Sequence, residues 1–294
     1  MLFNFFSILH LSECNTGNGI DYYDCTLKNG PISWKHKYPS ANGNFQSPIN
    51  IISVETSLLL IYEPLIWNYY DEIPTEIFIR NSGYTVELKA NFSCNVPTIS
   101  GADLLENYKF LNLCFRWSIL DDQGSEHSIN NKKYPVELQV SHVSQDNLVH
   151  NSESSDLGVL VLSFFFAITK NDNPCLDPII LNLRKIRGPG IWVQIPSFPL
   201  SWLCYNFQTN FYSYGGSLTE PPCCEGVTWF IFPEPMAISI KQLSEFRTLQ
   251  SRTLNKILNN SRPIQNLNSR IVCLNRYIGY DEETEDEDVP AICD

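Results

Sequence analysis

From residue 76 to residue 232 the chain is a succession of short runs rich in β-branched, aromatic and aliphatic side chains, each closed off by turn formers. Seven runs read as strands: 76–80, 84–88, 108–117, 136–141, 158–168, 191–195 and 227–232. Gly, Pro, Asn and Asp separate them, as in Asn81-Ser82-Gly83 and Asn171-Asp172-Asn173-Pro174. Helical spacing stands out once, across 239–254, where Ile240, Leu243, Phe246 and Leu249 share one face. No repeat and no linker interrupts the pattern. At about 150 residues per domain a chain of 294 residues could hold two, but β-rich domains often run to about 200–250 as one unit. The pattern predicts one mainly β (α+β) domain with short surface helices.

Charge narrows the function classes. The net charge is −12, with 32 acidic against 20 basic residues. No Lys/Arg cluster occurs, which argues against nucleic acid and anionic membranes as partners. The longest strongly apolar stretch, 158–168, is far short of a membrane span. Residues 281–288 read DEETEDED, and such a block repels itself; residues 273–294 are therefore expected to form an acidic, disordered tail.

The ten cysteines include no C-x-x-C pair, so neither a zinc ribbon nor a thioredoxin-type redox site is signalled. Two sequons, at Asn91 and Asn259, would suit a glycosylated surface. Residues 1–14 carry a short apolar run of signal-peptide length, without a basic start but with Ser12 and Cys14 as small residues for cleavage. Together these features predict a secreted, extracellular protein.

Four segments, in order, carry a family resemblance: GPISWKHKYPSANGNFQSPINI (30–51), NSGYTVEL (81–88), FRWSILDDQGSEHSINNKKYPVELQVSH (115–142) and YGGSLTEPPCCEGVTWFIF (214–232). A fifth, NNSRPIQNLNSR, covers 259–270. Across residues 24–272 the chain resembles the α-carbonic anhydrases. The resemblance implies a single domain around a twisted, mostly antiparallel ten-stranded sheet with a conical active site at its centre. It also implies cis peptide bonds at Ser47-Pro48 and Pro221-Pro222.

In that family a zinc ion held by three histidines lowers the pKa of its bound water to about 7, giving the hydroxide that attacks carbon dioxide. Two of the histidines lie at i and i+2 on one strand, so both face the cone. The matching positions here are Cys114, Arg116 and Gln139. Cysteine can ligate zinc as thiolate. Arg116 cannot: its guanidinium has no lone pair to give and repels a divalent ion. Gln139 offers only an amide oxygen, a poor ligand beside imidazole. Of His10, His36, His127, His142 and His150, none falls at a ligand position. The resemblance thus implies no zinc cofactor and no catalytic residue.

The rest of the cone is retained in part. Glu126 and Thr219 match the pair that orients the zinc-bound hydroxide, and Glu137 and Asn260 match groups that hold the ligand imidazoles. Val161, Leu218 and Trp229 match the apolar wall that receives carbon dioxide, which Ser141 interrupts. Tyr84 stands at the proton-shuttle position, where a phenol of pKa about 10 relays protons poorly. Glu220 adds a carboxylate at the cone floor. Glu126, Glu137 and Glu220 are the expected partners of a buried Arg116.

Among inactive members the chain resembles the secreted carbonic anhydrase-related proteins of the tenth and eleventh types, which also carry Gln at the third ligand position and a cysteine after Pro-Pro, here Cys223. That likeness implies a non-catalytic binding protein whose partner is a cell-surface receptor, neurexins being the chief example. Many secreted members also carry a disulfide from just before Gln-Ser-Pro to the Cys223 position. Ala41 replaces its first half, so Cys25 is the expected substitute partner for Cys223 or Cys224. Two other functions compete: an active zinc-dependent carbonate dehydratase with unrecognised ligands beside Cys114, and a different reaction run by Glu126, Glu220 or Tyr84. The second lacks a recognisable nucleophile–base pair.

Overall fold

The computed structural model describes residues 30–144 and 157–279. The candidate signal peptide, Cys25 and the acidic run 281–288 lie outside them. Strands β1 (Asn50–Ile51), β2 (Ser57–Ile61), β3 (Leu65–Asn68), β4 (Glu76–Asn81) and β5 (Val86–Asn91) open the described chain. There follow β6 (Thr98–Gly101), β7 (Tyr108–Trp117), β8 (Ser128–Ile129), β9 (Val136–Ser144) and β10 (Val159–Thr169). The last four are β11 (Trp192–Ile195), β12 (Phe211–Ser217), β13 (Glu225–Ser239) and β14 (Cys273–Tyr277). Three helices, α1 (Trp34–Lys37), α2 (Asp177–Ile180) and α3 (Ile240–Phe246), are short.

Twelve strands form one sheet, ten of them in a continuous order β11-β4-β5-β7-β9-β10-β13-β12-β14-β2. The other two, β3 and β6, pair with each other, and β6 joins β7, so the sheet is two strands larger than the expected ten. Most pairings are antiparallel; β10 with β13 and β14 with β2 are parallel. Both expected cis bonds, Ser47-Pro48 and Pro221-Pro222, are present.

Side-chain alternation splits the core between the faces. Leu113, Phe115, Trp117, Leu138 and Val140 point into the larger cluster, which α3 covers with Leu243 and Phe246. Val161, Trp229 and Ile231 point the other way, into a smaller cluster with Ile49 and Tyr214.

Three readings need correction. The helix expected over 239–254 is only Ile240–Phe246, opened by a Ser239/Gln242 capping box. Beyond it Thr248 Oγ1 bonds to the Glu245 carbonyl and the Ser251 amide to the Asn255 carbonyl, and Leu254 takes φ 64°, so local bonds replace the helix. The strand expected from residue 84 starts at Val86, because Gly83 at φ 91° and the Ser82 to Thr85 bond make a turn there. The tail does not begin at 273: Cys273–Tyr277 is β14, set between β12 and β2. The acidic run alone dominated the sequence reading there.

Candidate functional site

In the antiparallel pair β7–β9, Cys114 stands opposite Gln139 and Arg116 opposite Glu137. Their neighbours Leu113, Phe115, Leu138 and Val140 fill the core on one face, so these four side chains project from the other. The three positions expected to matter therefore meet. Cys114 Sγ lies 3.7 Å from Gln139 Oε1, to which Arg116 Nε donates at 3.2 Å.

Arg116 is 2% exposed and fully engaged. Nη1 donates to Glu220 Oε1 at 2.7 Å, Nη2 to Thr219 Oγ1 at 3.4 Å, and Nε lies 3.4 Å from Glu126 Oε2. Two of the three expected carboxylates thus compensate it directly. The third, Glu137, accepts from the Glu126 and His127 amides, from His127 Nδ1, from Gln139 Nε2 at 3.0 Å and from Ser163 Oγ. Burial alone would raise its pKa; His127 and these hydrogen bonds outweigh that and hold it at about 2.

Glu126 is fully buried; it accepts from Gln139 Nε2 at 2.7 Å and the Arg262 amide at 2.9 Å, and forms an ion pair with Arg116. Among the described residues no hydrogen bond joins it to Thr219, whose hydroxyl faces Arg116 instead. Asn260 anchors backbone, accepting from the Trp117 amide and donating to the Tyr84 and Phe115 carbonyls. Val161, Trp229 and Leu218 do pack together as a wall, with Ser141 opposite Val161 in the β9–β10 pair.

Tyr84 is 8% exposed and clustered with Trp34, Ala41 and Cys223. Arg252, not anticipated from sequence, lies over its ring at 4.9 Å. Glu87 was also missed: it stands opposite Cys114 on β5 and accepts from Arg80 and Asn112. Strand alternation would have exposed it, since Cys114 was already in hand.

A three-histidine zinc site does not fit these residues. Burial pushes the Cys114 thiol up to about 12, outweighing Arg116. Around the thiol stand an amide oxygen already taken by Arg116, the guanidinium itself, and carboxylates committed elsewhere: Glu87 to Arg80 and Asn112, Glu220 to Arg116, and Glu126 to Gln139 and the Arg262 amide. Among the described residues no group of three or more His, Cys, Asp or Glu is placed to hold a metal ion.

Cys223 and Cys224 are free thiols, and their expected partner Cys25 lies outside the described residues. Cys223 is fully buried in one cluster with Trp34, Ala41 and Tyr84. Of the sequons, Asn91 is exposed at the end of β5, whereas Asn259 is half-buried and its Oδ1 accepts from the Ser261 amide and hydroxyl.

The family model for eukaryotic-type carbonic anhydrases matches residues 29–276. Carbonic anhydrase 7 of Homo sapiens is 32% identical over 249 residues, covering 83% of this chain and 93% of its own length. Carbonic anhydrase 1 of Monodelphis domestica is 32% identical over 251 residues, covering 83% and 94%.

Proposed function

The chain belongs to the eukaryotic-type carbonic anhydrase family, and from that premise we propose that it is a non-catalytic, secreted member that serves as a binding protein. One observation carries the reading: the Arg116 guanidinium lies among Gln139, Glu126 and Glu220, where the family needs a metal and its hydroxide. A fixed cation there opposes zinc by charge, and its hydrogen bonds occupy the groups that would orient the nucleophile. The retained carboxylates serve the fold, because each buried oxygen left unpaired would cost about 1–3 kcal/mol. The likeness to the related proteins of the tenth and eleventh types supports an extracellular partner, a cell-surface receptor, in place of a substrate. The sequons and the apolar N-terminal run support secretion.

The test is zinc content and carbon dioxide hydration on the purified protein. Zinc well below one equivalent and hydration at background are expected. The triple variant Cys114→His, Arg116→His, Gln139→His should take up zinc near stoichiometry. Stoichiometric zinc in the natural chain, with inhibitor-sensitive hydration, overturns the reading.

A further inference from the structure

Alternation along β13 sends Trp229 and Ile231 toward the cone and Phe230 and Phe232 to the opposite face of the sheet. On that far face Phe232 helps line an open groove of about 440 Å³, with Trp202, Tyr205, Glu234, Pro235 and Met236. Two large aromatic rings stand in solvent there: Trp202 is 49% and Tyr205 59% exposed. Neither is loose. Phe198 stacks on Trp202 at 5.9 Å, and Tyr205 stacks on Phe232, which stacks in turn on Phe207 at 5.0 Å. The rim is equally fixed, since Asn173 Nδ2 donates to the Ala237 carbonyl and Gln242 clasps the Asn173 backbone at both its amide and its carbonyl. Flat, pre-ordered rings lose little entropy when they bind.

Charge selects the ligand. Exposed Glu234 has no ion pair and no hydrogen bond among the described residues, and no Lys or Arg lines the groove. Lys241 is held by Asp172 at 3.5 Å, and Lys132 lies 5.0 Å over the ring of Tyr134, the phenol on which Glu234 acts electrostatically. The whole chain carries −12. A carboxylate beside exposed Trp and Tyr faces suits a planar cation that can stack and pair at once, which a guanidinium does and an ammonium does less well. We propose that this groove recognises an arginine side chain presented by an extended basic segment of a partner protein. The site lies across the sheet from Arg116, so it stands whether or not the cone is catalytic.

The experiment titrates acetyl-Gly-Arg-Gly-amide into the isotope-labelled full chain and follows tryptophan indole signals, with the citrulline peptide as a neutral isostere. The arginine peptide should shift the Trp202 signal saturably, and the citrulline peptide should bind about tenfold more weakly. Glu234→Gln should weaken arginine binding about threefold, and Tyr205→Ala, at an exposed position, should weaken it further. Equal binding of both peptides, no saturable shift at Trp202, or binding unchanged in both variants would each overturn the proposal. Zinc and hydration measurements are unaffected by any of these outcomes, so the two readings fail separately.

Discussion

Replacing Arg116 with methionine keeps an apolar stem in the cone and removes the charge. The structure sets the cost. Glu126 is fully buried, 3.4 Å from Arg116, and would lose the cation that lies against it. Breaking such a buried pair from one side costs about 3–5 kcal/mol. Glu220 adds little, because its side chain is 32% exposed and water can replace the guanidinium, so its share is at most about 1 kcal/mol. Arg116→Met should therefore lose about 3–5 kcal/mol and Glu220→Gln about 1 or less. Adding Glu126→Gln to Arg116→Met removes the stranded charge and should restore a large part of the loss, giving a coupling of about 2 kcal/mol or more. Urea unfolding followed by circular dichroism reads the natural chain, the three single variants Arg116→Met, Glu220→Gln and Glu126→Gln, and the double variant, provided their m-values agree. A loss below about 1 kcal/mol for Arg116→Met, or no coupling to Glu126, would mean the guanidinium is solvated and the argument for a charge-filled cone fails.

Ala41→Cys should form a disulfide with Cys223, which packs in the same cluster, and closing a loop of about 180 residues should stabilise by about 5 kcal/mol in the chain-entropy model; non-reducing peptide mapping and a denaturation midpoint check it. Stability should fall on acidification in two windows. Burial lowers His142 from 6.5 to about 3, so the unfolded chain takes up a proton first, and stability drops as pH falls from about 6.5 toward 3. Glu137, depressed from 4.5 to about 2, contributes stability that is present above about 4.5 and lost as pH falls through about 2. Glu137→Gln should flatten only the lower window; an unchanged profile in that variant would refute the assignment.

Strand-type runs between turn formers located the central strands well: β10 is one long apolar run, and β7 and β9 are rich in aliphatic and aromatic residues. The convergence of Cys114, Arg116 and Gln139 was also legible, since an i/i+2 pair and a neighbouring strand leave little freedom. Glu126, Glu137 and Glu220 were named as partners of Arg116, but that only Glu126 and Glu220 would pair with it depends on the loop between β7 and β8 and the turn after β12, not on any local pattern. The edges were harder. β2 reads SLLLI with nearly every residue exposed, so neither alternation nor burial marks it, and β14 is only five residues beside an acidic run. Arg252 reaches Tyr84 from a segment the sequence reading had placed in a helix. Trp202 and Tyr205 gave no signal at all, since their function, as proposed, is to stay uncovered.

The placement of β14 has a consequence in time. Among the described residues β2 joins the sheet through β14 alone, and the two lie about 215 residues apart in the chain. At about 5–20 residues per second, a ribosome takes roughly 10–40 seconds to deliver Cys273–Tyr277 after it has finished β2. Throughout that interval Leu58, Leu59 and Leu60 form an apolar strand with no neighbour, and no proline or charge within Ser57–Ile61 guards it. Synthesis of this chain thus carries a waiting period in which its first long-range partner does not yet exist, a natural station for a chaperone that holds extended apolar segments.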